Sequence, residues 1–258
     1  MKIINTKIIE SDYFNQPGLS TSFLKRFAIS PAHAFVYQSE TKELEFGTML
    51  HSYILEPDKF FDTYMVTEIE DGRTAEYKEL KKQSKAENKI LIKQSDIADI
   101  EKMRQSFSKK QILNIPAEWI LKDAIIEQGI YAEIITPENN IRIKCKPDVV
   151  YINNDSIIII DLKTMAAGKS FYWQAQKYKY DWQMEIYSNI VEAHYGMPVN
   201  FIFAVLEKSP PFGCQFYKAY SQYAKENIEK CIEKYVDWVA RGEDKTECYN
   251  DEIIEINY

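Results

Sequence analysis

The sequence is sparing with the residues that loosen a chain. It has 8 glycines and 9 prolines in 258 residues, with no glycine-rich linker, no low-complexity tract and no internal repeat. A chain so lightly punctuated reads as one domain over 1–258 rather than as modules on tethers. No apolar run approaches the roughly 20 residues of a membrane-spanning helix, and the opening MKIINTKIIESDYF lacks the basic and apolar regions of a secretory leader. A cytosolic protein is expected. Cys145, Cys214, Cys231 and Cys248 stand far apart with no C-x-x-C pair, which argues against a zinc site and a disulfide framework and leaves reduced thiols. A surplus of positive charge is also missing. The net charge of −7 gives no global attraction to nucleic acid, although an average says nothing of local basic patches.

What is present suits a packed core, since 45% of the residues are hydrophobic. Ser20 to Ala28 (STSFLKRFA) reads as a capped short helix stopped by Pro31. Glu45 to Leu55 carries Phe46, Met49, Leu50, Tyr53 and Ile54 at helical spacing. Charged amphipathic stretches at 73–86 and 95–111 belong to a helical subregion at about 60–115. Strand-like runs at 124–136, 141–152 and 156–163 precede a long helix at about 171–195, a strand pair at 199–207 and 214–220, and a last helix at 221–240. That order predicts an α/β fold with a mixed central β-sheet flanked by helices.

The stretch CKPDVVYINNDSIIIIDLKT, residues 145–164, carries the chemistry. Asn153, Asn154 and Asp155 are turn residues, so the two apolar runs predict an antiparallel hairpin. Pairing Asn153 with Ser156 and counting outward sets Asp148 opposite Asp161. Opposed side chains share a face about 4.5–5.5 Å apart at Cβ, where two carboxylates repel unless something offsets them. A divalent cation would do so. Alternation places Arg142, Lys144, Lys146 and Asp148 on one face, and puts Lys163 on the same face as Asp161. The alternative for this trio is a structural ion triad, but Ile157 to Ile160 imply a strand buried on both faces, where an unmatched carboxylate is costly.

Two spaced pairs accompany the hairpin. Gly47 and His51 lie four apart on one helix face, the glycine offering close backbone approach. Gln183 and Tyr187 repeat that spacing in a helix whose core stripe is Trp182, Ile186 and Ile190. Between these, KSFYWQAQKYKYDW (169–182) interleaves lysines with aromatics, a pattern that suits a nucleic-acid backbone and unstacked bases or a half-buried helix with snorkelling lysines.

In order, Gly47-x-x-x-His51, Pro147-Asp148, Asp161-Leu162-Lys163 and Gln183-x-x-x-Tyr187 resemble the PD-(D/E)XK nucleases of the RecB-like branch. LSTSFLKRFAISPAHAF, and EQGIY followed by IKCKPD, are most similar to the RecE-type phage exonucleases (exonuclease VIII and relatives), over about residues 18–240. The resemblance implies a restriction-endonuclease-like core and a metal-dependent exodeoxyribonuclease that acts on the ends of linear double-stranded DNA, 5′-to-3′. It implies Mg²⁺ or Mn²⁺ held by His51, Asp148, Asp161 and the Leu162 carbonyl, with Glu127 as a further candidate. Lys163 would act on the attacking water or the developing charge, while Gln183 and Tyr187 would position the DNA backbone or that lysine. The partners implied are a phage-type single-strand annealing protein and further copies in a ring, a tetramer being favoured, in the cytoplasm of a bacterial host and encoded by a phage or prophage. Lys144, Lys146 and the 169–182 segment would then contact DNA along a central channel. Two alternatives stay open: a non-catalytic DNA-binding or assembly subunit of the same fold, and a helicase-associated or CRISPR-type nuclease of the branch. The latter often carry a four-cysteine iron–sulfur cluster, for which the cysteine spacing here does not provide.

Overall fold

The computed structural model describes residues 2–10, 12–36, 41–136 and 140–248. The chain opens with β1 (Ile3–Ile9), β2 (Leu19–Ser20), α1 (Thr21–Phe27), α2 (Pro31–Phe35), α3 (Lys42–Leu55) and α4 (Pro57–Thr63). It continues through β3 (Tyr64–Thr67), α5 (Ala75–Ala86), β4 (Ile90–Lys93), α6 (Gln94–Ser108), β5 (Gln111–Ile112), β6 (Ile115–Pro116) and α7 (Ala117–Asp123). Then follow β7 (Ile125–Ile126), β8 (Gly129–Ile135), β9 (Asn140–Cys145), β10 (Val149–Ile152), β11 (Ile157–Met165) and α8 (Phe171–Lys177). The last described elements are α9 (Tyr180–Tyr195), β12 (Val199–Glu207), β13 (Cys214–Tyr217) and α10 (Ala224–Ala240).

Two larger sheets carry the fold, a five-stranded one in the order β13-β12-β11-β10-β7 and a four-stranded one in the order β1-β8-β9-β2. The first is mixed: β11 and β12 run parallel, joined by the α8–α9 crossover, while the other pairings are antiparallel. This is the expected mixed α/β architecture. No helix among the described residues is long and apolar enough to cross a membrane.

The isoleucine run sits at its centre. Ile157 and Ile159 face a core shared with α9, α10, α1 and the four-stranded sheet, whereas Ile158, Ile160 and Leu162 face a second core built on α3, α6 and α7. The hairpin register is that predicted from the turn, Val149 opposite Ile160 and Ile152 opposite Ile157, with the Asn153 N–H donating to the Ser156 carbonyl at 2.9 Å.

Other expectations are corrected. The runs 124–136 and 141–152 are not single strands: each breaks, β7 from β8 and β9 from β10, and the halves join different sheets. The face shared by Arg142, Lys144, Lys146 and Asp148 therefore does not exist. Lys144 is buried, its ammonium donating to the carbonyls of Tyr13 (2.8 Å), Phe14 (3.3 Å) and Gln16 (2.7 Å), so it holds a loop and is spent as a DNA contact. The 171–195 helix is two helices, because Lys179 takes a left-handed φ of 48°. The 60–115 subregion includes the paired strands β3 and β4 as well as helices. Pro31 ends nothing by itself; it opens α2, where a missing N–H costs no hydrogen bond. Close approach is needed at Gly129, where a Cβ would stand 2.9 Å from Tyr13 Cδ2, whereas at Gly47 a Cβ would meet open space.

Burial on both faces of β11 has a measurable consequence. Ile159→Ala, at a site with 0% exposure, is expected to lose about 2–5 kcal/mol in urea unfolding, whereas Ile152→Ala, 44% exposed on the same hairpin, should lose well under half of that. Equal losses would mean that Ile159 is no better covered than the exposed end of β10.

Candidate active site

Pro147 has no N–H to donate, and the strand run stops around it. β9 ends at Cys145 and β10 begins at Val149 in the other sheet. Beyond Ile160, β11 thus loses its antiparallel neighbour. The backbone groups this exposes on Leu162 are taken by side chains. Its N–H donates to Asp148 Oδ2 at 2.7 Å, and its carbonyl oxygen lies 2.9 Å from His51 Nε2. His51 comes from α3, anchored through Met49, Leu50 and Ile54 in the second core.

The partner strand pair breaks at the same level. Glu127, between β7 and β8, holds a left-handed φ of 53°, a conformation costly for a residue with a Cβ and one that accumulates at functional sites. Its N–H donates to the Asp148 carbonyl at 3.0 Å, and its carboxylate pairs with Lys146. His51, Glu127 and Asp148 each offer one ligand atom within 4.8 Å of the others.

Asp161 occupies a second half of the site. It is 1% exposed, with Oδ1 against the Lys163 ammonium and Oδ2 accepting from Gln183 Nε2 on α9. Lys163 also lies 4.9 Å from the centroid of the Tyr180 ring. Tyr187, one turn beyond Gln183, stands in the core with its ring 6.3 Å from Phe201. The structure therefore gathers His51, Asp148, Leu162 and Glu127 on one side and Asp161, Lys163 and Gln183 on the other, with Tyr187 behind them.

The chain matches, over residues 20–254, the family described as a PDDEXK-like domain of unknown function (DUF3799). It belongs to that family. The crystal structure of a "putative exonuclease" from Eubacterium rectale overlays with a TM-score of 0.61 at 14% identity, covering 98% of this chain and 96% of that one, and so shares the fold. Two further structures, SSO0001 (TM-score 0.36, 15% identity, 83% of each chain) and VC1899 from Vibrio cholerae (0.21, 12%, 86% of this chain and 56% of that one), score too low to bear on it. None of the curated proteins matches the chain.

In this PDDEXK-like domain the donors suit a hard divalent cation, being two carboxylates, a carbonyl and one imidazole. When Nε2–H of His51 donates to the Leu162 carbonyl, Nδ1 turns a lone pair toward Asp148 Oδ2 at 3.5 Å. Two acceptors so placed call for a proton or a cation between them. Burial pushes Asp148 up to about 6, with the negative charges of Asp161 and Glu127 adding to it and His51 and Lys163 opposing. Burial alone would lower Lys163, but the charges of Asp161 and Asp148 outweigh it and hold the ammonium above its usual range. One residue escaped sequence reasoning. Lys25 of α1 has its ammonium 5.5 Å from the Tyr180 centroid and is pushed down to about 7 by burial and by the charge of Lys163. In SFLKRF it reads as any lysine on a short helix.

The two carboxylates should respond oppositely to neutralisation. Asp148 has a folded pKa above its unfolded value of about 3.9, so the metal-free fold keeps this contribution below about pH 4 and loses it as pH rises through about 6. In EDTA at pH 8, Asp148→Asn should gain on the order of 1–2 kcal/mol in urea unfolding and show a flatter pH profile. Asp161→Asn should instead lose stability, because it leaves the half-buried Lys163 ammonium without its counter-charge. Gains in both variants would show that simple repulsion dominates and that Lys163 offsets none of it.

Proposed function

We propose that this PDDEXK-like domain is a divalent-metal-dependent exodeoxyribonuclease that hydrolyses linear duplex DNA from its ends, 5′-to-3′, as the RecE-type enzymes it resembles do. The observation that carries this reading is the environment of Leu162, whose backbone groups are flanked by His51 and Asp148 while Asp161 and Lys163 lie along the same strand. His51, Asp148, Asp161 and the Leu162 carbonyl, with Glu127 in reach of His51 and Asp148, would hold the cation, which supplies Lewis-acid polarisation of a phosphoryl oxygen and acidifies water.

The chain's own residues account for the remaining chemistry. Lys163 keeps its proton at neutral pH, so it serves as a donor and positive charge toward a phosphate oxygen or the attacking water rather than as a base. Asp161 fixes that ammonium, and Gln183 fixes Asp161, so the lysine meets substrate already oriented. The Tyr180 ring covers Lys163 on one side, its centroid 4.9 Å from the ammonium.

A non-catalytic subunit would have no use for this arrangement, in which two buried carboxylates and a half-buried ammonium carry a desolvation cost that binding alone does not require. An iron–sulfur nuclease of the helicase-associated or CRISPR type is disfavoured because Cys214 belongs to one core while Cys145 and Cys231 belong to the other. The reading extends to a cyclic homo-oligomer, a tetramer, that stays on DNA by topology rather than by net attraction, and to an annealing protein that receives the single strand. With Lys144 engaged inside the fold and Lys146 paired to Glu127, local contacts fall mainly to the 169–182 segment.

End-labelled linear duplex and a covalently closed circle, each incubated with Mg²⁺ or Mn²⁺, test the reading. Linear DNA should be degraded, circles spared, and light scattering should show several subunits per particle. Lys163→Ala should lose on the order of 10²–10⁴-fold in rate yet still bind Mn²⁺ by calorimetry, whereas His51→Ala should bind it more weakly and recover partly at high Mn²⁺. Undiminished cleavage by Lys163→Ala, or cutting of circles by a monomer, would overturn it.

A further inference from the structure

A groove of about 1230 Å³ lies apart from the carboxylate site. One wall is α8 and the start of α9, the other the 218–223 turn and the first half of α10. Its lining carries four lysines, Lys179, Lys218, Lys230 and Lys234, against a single acid, Asp181, in a chain whose net charge is −7. Lys230 is also paired with Glu226 across the outer face of α10.

Aromatic rings concentrate on the same surface. Of its lining, Tyr172, Tyr220 and Tyr223 are 61%, 78% and 59% exposed, and Trp173 beside Tyr172 is 67% exposed. Leaving so many rings in water forfeits burial that a packed helix would normally take. Behind them Phe171 stacks on Tyr180 at 5.7 Å, and Tyr180 is the ring beneath Lys163. The groove is thus one aromatic layer from the active-site lysine.

We propose that this groove binds an unpaired nucleic-acid strand, its bases stacked on the exposed rings of the α8 segment and of the 218–223 turn, and its phosphates met by Lys218 and Lys234. The inference rests on the nuclease reading for its biological sense, since a duplex-degrading enzyme leaves one strand unpaired beside its site. Its chemistry stands separately. Rings supply stacking that any base satisfies, and a cation-lined wall tracks a phosphate backbone, the combination found wherever single strands are held without regard to sequence. A paired duplex hides its base faces and has no use for the rings. A protein partner would leave the excess of lysine unexplained.

The test is fluorescence anisotropy of a labelled oligodeoxythymidylate of about 12 nucleotides, within the usual site sizes, with the full chain in EDTA so that nothing is cut. Tyr220→Ala/Tyr223→Ala, at two exposed positions whose loss should leave the fold intact, is expected to weaken binding about tenfold or more. Lys218→Ala/Lys234→Ala should flatten the dependence of log K on log salt by about 1.4, at about 0.7 for each phosphate that no longer meets a lysine. A blunt duplex of equal length should be indifferent to the tyrosine pair. Unchanged strand binding in the tyrosine variant, or an equal loss on duplex, overturns the proposal. So does a change in particle mass with strand binding intact, which would assign the face to a second copy. Metal-dependent hydrolysis of linear duplex by the same variants is measured apart. Hydrolysis without strand binding in the groove sinks this proposal alone, and strand binding in a wild-type chain that hydrolyses nothing sinks the nuclease reading alone.

Discussion

A strand that loses its neighbour must find other partners for its N–H and C=O groups, and at Leu162 that requirement builds the site. Pro147 turns the neighbouring chain away, and the two backbone groups it leaves are met by Asp148 from the departing strand and His51 from a helix on the far core. The same departure opens the level at which Glu127 enters. Geometry here follows from backbone satisfaction: the side chains are held by the polypeptide's own hydrogen-bonding deficit.

The electrostatics divide along the same line. Two buried carboxylates flank the end of the hairpin, but only one is neutralised from within. Asp161 has Lys163 and Gln183. Asp148 has an imidazole and a backbone amide, which leave it with a raised proton affinity. The protein thus offsets half of the repulsion itself and leaves the other half for something from solution.

Much of this was legible in the residues. Turn chemistry at Asn153 to Asp155 set the register, the isoleucine run announced burial on both faces, and Ser20 and the limits of β12 were readable from capping and pattern. The breaks were not, because hydrophobic alternation reports which face a residue takes and is silent on which strand lies beside it. Residues 141–152 alternate straight through Pro147, and only the missing N–H hinted that the run could not be one strand. Lys144 and Lys25 escaped for a different reason. A lysine's fate depends on what surrounds its ammonium four carbons from the backbone, and local sequence does not encode that. The break at Lys179 was equally hidden, since lysine is not a residue that advertises a left-handed turn.

One helix ties the two sheets to the chemistry. Near one end α9 presents Gln183 to Asp161, and near the other His194 meets Thr6 of β1 at 3.0 Å, eleven residues and roughly 16 Å along the axis. A rod of that length bends little. Tension or rotation applied to the outer edge of the four-stranded sheet, where β1 is the terminal strand, would therefore arrive at the buried carboxylate as displacement rather than dissipate in a loop, so the rim of the molecule and its innermost acid form one mechanical unit.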